Sequence, residues 1–435
     1  MTQLVVRISL GVAGLLLSAA ASAAQPGTPA ATVIAIPPIT TPDTGVKGNE
    51  MLGLGWQATQ LIAADLRQTS EMMPLPPNRK DYYSYPEVTA PTFSKWRAAG
   101  AKALVTGFVQ SRSDGRLTFG CYVYDVEKGR ELGRKGFIVG GGDDWRRAAH
   151  KCSGLAYTAI TGAPSMFDTR ITYVAESGSP DARVKRIAVM DSDGYNHSYL
   201  TAGDTIVLTP RMSPKGGRLA YVGFTGGKPE VRIVDLASSQ QRPLLDGDSI
   251  SFAPRYSPDG TRIVFSMMLG ANSDIYVAPA TGGIPQRLTT SPGIDTDPSF
   301  SPDGSKIVFE SDRGGSQQLY VMNSDGSNQR RISFGGAWYA SPDWSPDGEW
   351  IAFTQRTTAG RRIGIIKPDG TDEKILTSGP ADEGPSWAAS SRELIFQRGA
   401  GNGSALFRLS LDGSEPRQMS IPQGGSDPDW SGLMD

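Results

Sequence analysis

The chain has 435 residues, 43 Lys plus Arg against 44 Asp plus Glu, and a formal net charge of −1. That balance excludes a long-range pull toward nucleic acid or an anionic membrane surface, and the length allows two or three domains with ample core. The 52 glycines and 31 prolines specify many turns, yet the apolar residues stay periodic, so a folded chain is expected.

Residues 1–23 carry one positive charge, Arg7, an apolar run from Ile8 to Leu17, and small residues ending in Ala21-Ser22-Ala23. A buried helix is the competing reading. The short run, its flanks and the abrupt Gln25-Pro26-Gly27 predict a cleaved signal peptide instead. No later apolar run is long enough to span a bilayer, so export without direct membrane insertion is expected.

Residues 24–165 do not repeat. "ATVIAIPPI" (31–39) predicts a buried strand, and "GLGWQATQLIAADLRQT" (53–69) a helix with Trp56, Leu61, Ile62 and Leu66 on its apolar face. A short helix, a strand through 103–109 and the hairpin "RLTFGCYVYDVEKG"–"RELGRKGFIV" follow. "DDWRRAAHKCSGLAYTAIT" predicts an amphipathic helix capped by Asp143 or Asp144. Helices alternating with strands specify a small two-layer α/β domain. The two cysteines, Cys121 and Cys152, form one disulfide in an oxidising compartment or stand as two buried thiols. "GGGDD" (140–144) reads as a hinge, since its aspartates would repel a phosphate.

Residues 168–435 are organised by a repeat. Ser-Pro-x-Gly begins at Ser213, Ser257, Ser301 and Ser345, each 44 residues after the last, with a degenerate copy around Trp387 and a stump at "DPDWSG". Each unit carries an apolar triplet, such as Ile307-Val308-Phe309, a second strand, an Asp-Gly or Gly-Gly turn and a short last strand. With the segment leading into the turn, four antiparallel strands result, the composition of a propeller blade. The first unit lacks that leading strand, and "GGSDPDWSG" at the far end supplies it. The sequence therefore predicts a six-bladed β-propeller closed by the C-terminal strand. Ser-Pro-Asp-Gly itself is satisfied by turn physics; a catalytic serine or calcium loop is the sharper reading, and no histidine or lysine recurs at matching spacing.

The chemistry of catalysis is sparse. His150 and His197 are the only histidines, read as ordinary surface or partly buried residues, and no G-x-S-x-G elbow occurs. No catalytic residue and no metal or cofactor is assigned; calcium in the propeller channel is compatible with the carboxylates but not predicted. The loops "PGIDTDP", "PADEGP" and "GGSDP" occupy equivalent blade positions at one channel mouth. They bring Asp295, Asp297, Asp382, Glu383 and Asp427 into a ring fit for a basic partner or a cation, or for ordinary solvation. Ile250, Phe252, Ile294, Trp338 and Tyr339 are interleaved at the same level, a mixture that suits protein binding.

Together with the stretches "LIAADLRQT", "WRAAGAKALVTGFV", "DWRRAAH", "DTRITYVAESG" and "LYVMNSDGSNQRRIS", this layout resembles the TolB family of the Gram-negative Tol–Pal system. The resemblance implies a periplasmic, monomeric adaptor rather than an enzyme. Its implied partners are the lipoprotein Pal at the propeller mouth and the inner-membrane protein TolA, and its implied role is outer-membrane integrity and constriction at cell division. Carried over by position, the Pal-binding candidates are Ile250 and Ala253 before Pro254, and Thr296 before Pro298; Trp338, Tyr339, Asp382 and Glu383 follow by blade equivalence. The family's TolA-engaging peptide has no clear counterpart, because only "AQPGTPAA" (24–31) precedes the first strand. The competing readings are a propeller hydrolase or lyase using the channel carboxylates, and glycan binding by channel aromatics.

Overall fold

A computed structural model of the chain describes residues 31–433 except 248 and 402. The signal peptide expected over 1–23 lies outside the described residues. No helix among them is long and apolar enough to cross a membrane.

The N-terminal unit is a five-stranded sheet. Strand β1 (Thr32–Ala35) runs parallel to β2 (Met72–Pro74) on one side and β3 (Ala103–Ser111) on the other, and β4 (Leu117–Asp125) and β5 (Arg130–Val139) extend it antiparallel. Helices α1 (Gly45–Arg67) and α3 (Trp145–Thr161) cover one face, where Leu61, Ile62, Leu66, Ala148 and Ala156 join Val105, Phe119 and Val123 in one apolar cluster. The shorter α2 (Phe93–Ala98) and its flanks cover the other, with Tyr83, Trp96, Leu104 and Tyr124 packed together. Each large side chain buried this way contributes about 1.5–3 kcal/mol. Cys121 of β4 and Cys152 of α3 are joined by a disulfide with Cα atoms 5.7 Å apart.

Two local expectations change. Helix α1 begins at Gly45 rather than Gly53, because its glycines serve contact and not flexibility. A Cβ on Gly55 would sit 2.1 Å from the Ile39 carbonyl oxygen, and the same close approach lets the Ile39 N–H reach Thr59 Oγ1 at 2.9 Å. Helix α3 has no aspartate cap. Asp144 ends a short 3-10 turn with helical φ −64° and ψ −16°, so its side chain is not placed as an extended N-cap residue would place it.

The propeller consists of six four-stranded antiparallel sheets. Blade 1 is formed by Gly424–Trp430 innermost, pairing with Arg170–Ser177, then Val184–Asp191 and Ser198–Tyr199. The innermost strands of blades 2 to 6 are Val207–Met212, Ile250–Tyr256, Asp295–Phe300, Trp338–Trp344 and Asp382–Trp387. The second strand of every blade buries one aromatic, Tyr173, Tyr221, Phe265, Phe309, Phe353 or Phe396. Neighbouring blades share cores, as where Val264, Ile275 and Val277 of blade 3 meet Phe300 and Phe309 of blade 4.

Strand direction puts all the Ser-Pro-x-Gly turns at one end of the ring. The N-terminal unit sits at that end. Arg408 donates to Gln68 Oε1 at 2.6 Å, Arg392 pairs with Glu71, and Arg146 pairs with Asp193. The opposite end, where each innermost strand begins, is left open by the N-terminal unit.

The repeated turn is a closed set of hydrogen bonds. Ser301 Oγ donates to Asp303 at 2.5 Å and accepts the Lys306 N–H at 2.9 Å, while Asp303 accepts the Ser305 N–H at 3.0 Å. Gly304, at φ +70°, returns its N–H to the Ser301 carbonyl at 2.8 Å. Ser257 and Ser345 repeat the pattern. A buried hydroxyl so engaged is a corner brace, not a nucleophile. The Ser301 hydroxyl and then the Ser305 N–H hold the Asp303 carboxyl down at about 2, against 3.8 in the unfolded chain. Ser301→Ala should therefore cost about 1 kcal/mol in urea unfolding at pH 7. The Asp303 contribution, set by a depressed folded value, should be complete above pH 3.8 and vanish as pH falls through about 2. Asp303→Asn should flatten that acid limb.

Candidate functional site at the channel mouth

Every innermost strand carries a bulge, and at each one a residue turns into the left-handed region ahead of a proline. These residues are Thr209 (φ 44°), Ala253 (51°), Asp297 (49°), Ser341 (51°), Gly384 (61°) and Asp427 (50°). Prolines 210, 254, 298, 342, 385 and 428 follow them. The register shifts at the same six places, and all six residues line one narrow cavity of about 50 Å³ on the propeller axis. A proline disfavours helical geometry in the residue before it, and a left-handed β-branched residue such as Thr209 is an outlier. Such strain is on the order of 1–3 kcal/mol per residue, and it persists because neighbouring blades hold the bulges. The Asp297 N–H donates to Ser266 Oγ at 3.2 Å, the Gly384 N–H to Thr354 Oγ1 at 3.0 Å, and the Asp427 N–H to Gln397 Oε1 at 2.6 Å. Glu310 takes the Ser341 N–H in the same way. Ser266, Glu310, Thr354 and Gln397 each follow their blade's buried phenylalanine, so one position in the repeat serves as acceptor for the next blade's bulge.

Below this ring the channel is crossed by charges. Arg255 Nη1 lies 3.4 Å from Asp429 and 3.5 Å from Asp343, reaching two other blades, and Arg211 Nε lies 3.9 Å from Asp429. Each aspartate is also tied to backbone: Asp429 accepts the Met212 N–H at 2.8 Å and Asp343 the Trp387 N–H at 2.9 Å. Burial raises the Asp429 carboxyl against the pull of Arg211 and Arg255, and burial with the nearby Arg255 charge lowers Arg211.

Above the ring the mouth opens into a cavity of about 400 Å³ lined by Phe252, Thr296, Asp297, Glu310, Arg356 and Arg361 among others. Burial, reinforced by the Asp297 charge, pushes the Glu310 carboxyl well above the usual carboxylate range. The rim exposes Ile206, Met268, Leu269, Ile294, Phe334 and Trp338, the last two at 71% and 56%.

The sequence-derived candidates divide sharply. Trp338 is exposed on the rim, and Ile250, Thr296 and Glu383 are half-buried there. Thr296 bonds Glu310 at 3.4 Å, and Glu383 pairs with Arg361. Ala253 is buried in the bulge ring. Asp295, Asp382 and Tyr339 do not reach the surface. Asp295 is fully buried on Arg313 at 2.6 Å, Asp382 on Arg398 at 2.6 and 2.9 Å, and the Tyr339 hydroxyl donates to Glu373 at 2.8 Å. The carboxylate ring is thus corrected: Asp297 and Asp427 line the channel, whereas Asp295 and Asp382 are neutralised within their own blades. Arg211, Arg255, Asp343, Asp429 and Glu310 are the functional-region residues that sequence reasoning missed. For the first four the signal was an X-Pro dipeptide recurring once per repeat, whereas Glu310 follows the buried phenylalanine of its repeat.

A strand-closed six-bladed ring, an α/β unit on one end and an apolar-rimmed mouth on the other define a two-domain β-propeller protein with one free channel entrance. Residues 157–434 match the model of the TolB beta propeller domain, and residues 25–132 that of the TolB amino-terminal domain. The chain belongs to the TolB family. The Tol-Pal system protein TolB of Rhizorhabdus wittichii is 48% identical over 229 residues, 51% of this chain and 52% of that one. Its counterpart in Zymomonas mobilis is 49% identical over 211 residues, 48% and 46% of the two chains. The match thus spans about half the length of these curated relatives. The crystal structure of TolB from Acinetobacter baumannii superposes with a TM-score of 0.75 at 26% identity, covering 92% of this chain and 97% of that one.

The charge quartet should behave as a buried network. Asp343→Ala should destabilise the propeller by about 1–3 kcal/mol, because the Trp387 N–H loses its acceptor while Arg255 keeps only Asp429. Asp343→Leu combined with Arg255→Met should recover part of that loss in urea unfolding.

Proposed function

We propose that this protein is a periplasmic adaptor of the Tol–Pal system. Its open mouth binds the periplasmic domain of Pal, and it couples Pal to the TolA complex to maintain outer-membrane integrity and constriction at division. The observation that carries the reading is the exposed apolar rim around a cavity whose floor is closed by salt-bridged charges. A rim with two exposed aromatics supplies anchors of the kind that dominate protein interfaces, and contiguous apolar surface marks interaction sites. Coupling to TolA rests on family membership.

The raised Glu310 carboxyl is the one observation favouring a hydrolase or lyase, since a perturbed carboxylate in a cleft marks a reaction site. Glu310, however, is engaged by the Ser341 N–H and by Gln317. Its carboxylate supports the neighbouring blade rather than standing free for a substrate.

Isothermal titration with a soluble Pal domain tests the reading. Trp338→Ala should weaken binding by about thirtyfold, the loss expected of an interface hot spot, and Thr296→Arg should weaken it by steric and charge conflict. Ile284→Ala, exposed on a blade turn at the other end, should leave it unchanged. No binding to the unaltered chain would overturn the adaptor reading; binding indifferent to both mouth variants would overturn only the mouth.

A further inference from the structure

At the junction between the N-terminal unit and blade 1 stands a buried histidine. His150 of α3 is 2% exposed. Its Nδ1 lies 2.8 Å from Asp65 Oδ2 of α1, an oxygen that also accepts the Ser153 hydroxyl at 2.7 Å. An ionised carboxylate can only accept, so Nδ1 carries a proton. The other ring nitrogen, Nε2, makes no hydrogen bond and faces Asp193 Oδ2 at 3.6 Å. Asp191 belongs to the same cluster, with all three donor atoms within 4.8 Å of one another. Asp191 ends the blade 1 strand Val184–Asp191 and Asp193 lies in the turn beyond it. Propeller carboxylates therefore face an N-terminal-unit imidazole.

An unprotonated Nε2 would aim its lone pair at two carboxylates in a site nearly closed to water, which burial makes costly. A positive charge belongs on that edge, as a second ring proton or as a metal ion. The surrounding charges decide between them. Asp65, Asp191 and Asp193 meet two guanidinium groups, since Arg146 pairs with Asp193 and Arg170 lies 3.7 Å from Asp191. One further positive charge balances the set, whereas a divalent ion exceeds it. Arg146 also holds the Asp193 oxygen that a metal would need. The remaining charges on the adjoining cavity are Asp143, Asp144, Arg147 and Asp168. Asp168 is taken up by Arg147 at 3.3 Å and by Lys151 at 3.1 Å, so Asp143 and Asp144 tilt the local field further toward a charged ring.

We propose that His150 is an imidazolium latch that bridges Asp65 of the N-terminal unit and Asp193 of the propeller, and that its deprotonation loosens the junction. Burial opposes the charged ring, but Asp65 and Asp193 outweigh it and hold the imidazole above its usual 6.5. A folded value above the unfolded one means the latch is fully engaged below pH 6.5 and is lost as pH rises through the folded value.

The chain has two histidines, so selective ¹⁵N-histidine labelling of the full chain gives two ring systems. His197, lowered by burial, serves as internal reference. His150 should show both nitrogens protonated at about pH 6.5 and titrate above it. Asp193→Asn should lower its midpoint by about one unit, a tenfold loss of proton affinity, without moving His197. Hydrogen exchange in the turn 191–196, corrected for intrinsic pH dependence, should accelerate about tenfold across that titration and stay flat in His150→Gln. A neutral Nδ1–H ring at about pH 6.5, a Nε2 signal displaced by added Zn²⁺, or exchange that ignores the titration would each overturn the latch. The spectra of the unaltered chain decide the matter even if His150→Gln fails to fold.

Discussion

The pairing of Gly424–Trp430 with Arg170–Ser177 joins the two ends of the propeller domain. Without it blade 1 would present an unpaired inner edge to the channel, the kind of edge that invites aggregation. Bringing those ends together costs about 5 kcal/mol of loop entropy for a chain of this length. The ladder bonds, the burial of Trp430 and the contacts of Asp427 and Asp429 with blade 2 offset that cost. The circular arrangement of the mouth exists only once this strand is in place.

Within the ring, geometry and electrostatics are handed from blade to blade. A bulge turns each innermost strand, and in five blades the N–H it frees is taken by the preceding blade. Where that acceptor is Glu310, burial and the neighbouring Asp297 raise its carboxyl well above the usual range. That raised carboxyl at the mouth is thus a by-product of how blades 4 and 5 are stitched together. The charge quartet below it blocks the axis while tying blades 1, 2, 3 and 5 to one another.

Much of this architecture was legible in the residues. The Ser-Pro-x-Gly period marked the blades, and the strand missing from the first unit had its surplus counterpart at the end. The mouth was read less well because a strand sends neighbouring side chains to opposite faces. Trp338 is out and Tyr339 in; Thr296 is half-buried and Asp295 covered; Glu383 reaches the rim while Asp382 does not. Choosing both members of each pair overlooked that alternation. The arginines that neutralise Asp295 and Asp382 come from hairpins folding back over them, a closeness that linear spacing does not reveal. Thr, Ala, Asp, Ser, Gly and Asp at the bulges share no chemistry, only a backbone angle, so the repeated proline was the sole trace. The glycines of α1 likewise hid its first turns while making its closest contact.

Trp430 ties the last strand to the segment leading into blade 1, through Thr169, and to blade 6, beneath the Arg408 guanidinium. Its position gives the molecule an order of assembly. The N-terminal sheet and blades 2 to 6 are built from contacts close in sequence and can form as the chain emerges. Blade 1 must wait for the final residues. Long-range contacts of this kind are slow to form, so a chain interrupted near its end would carry five complete blades and one open edge.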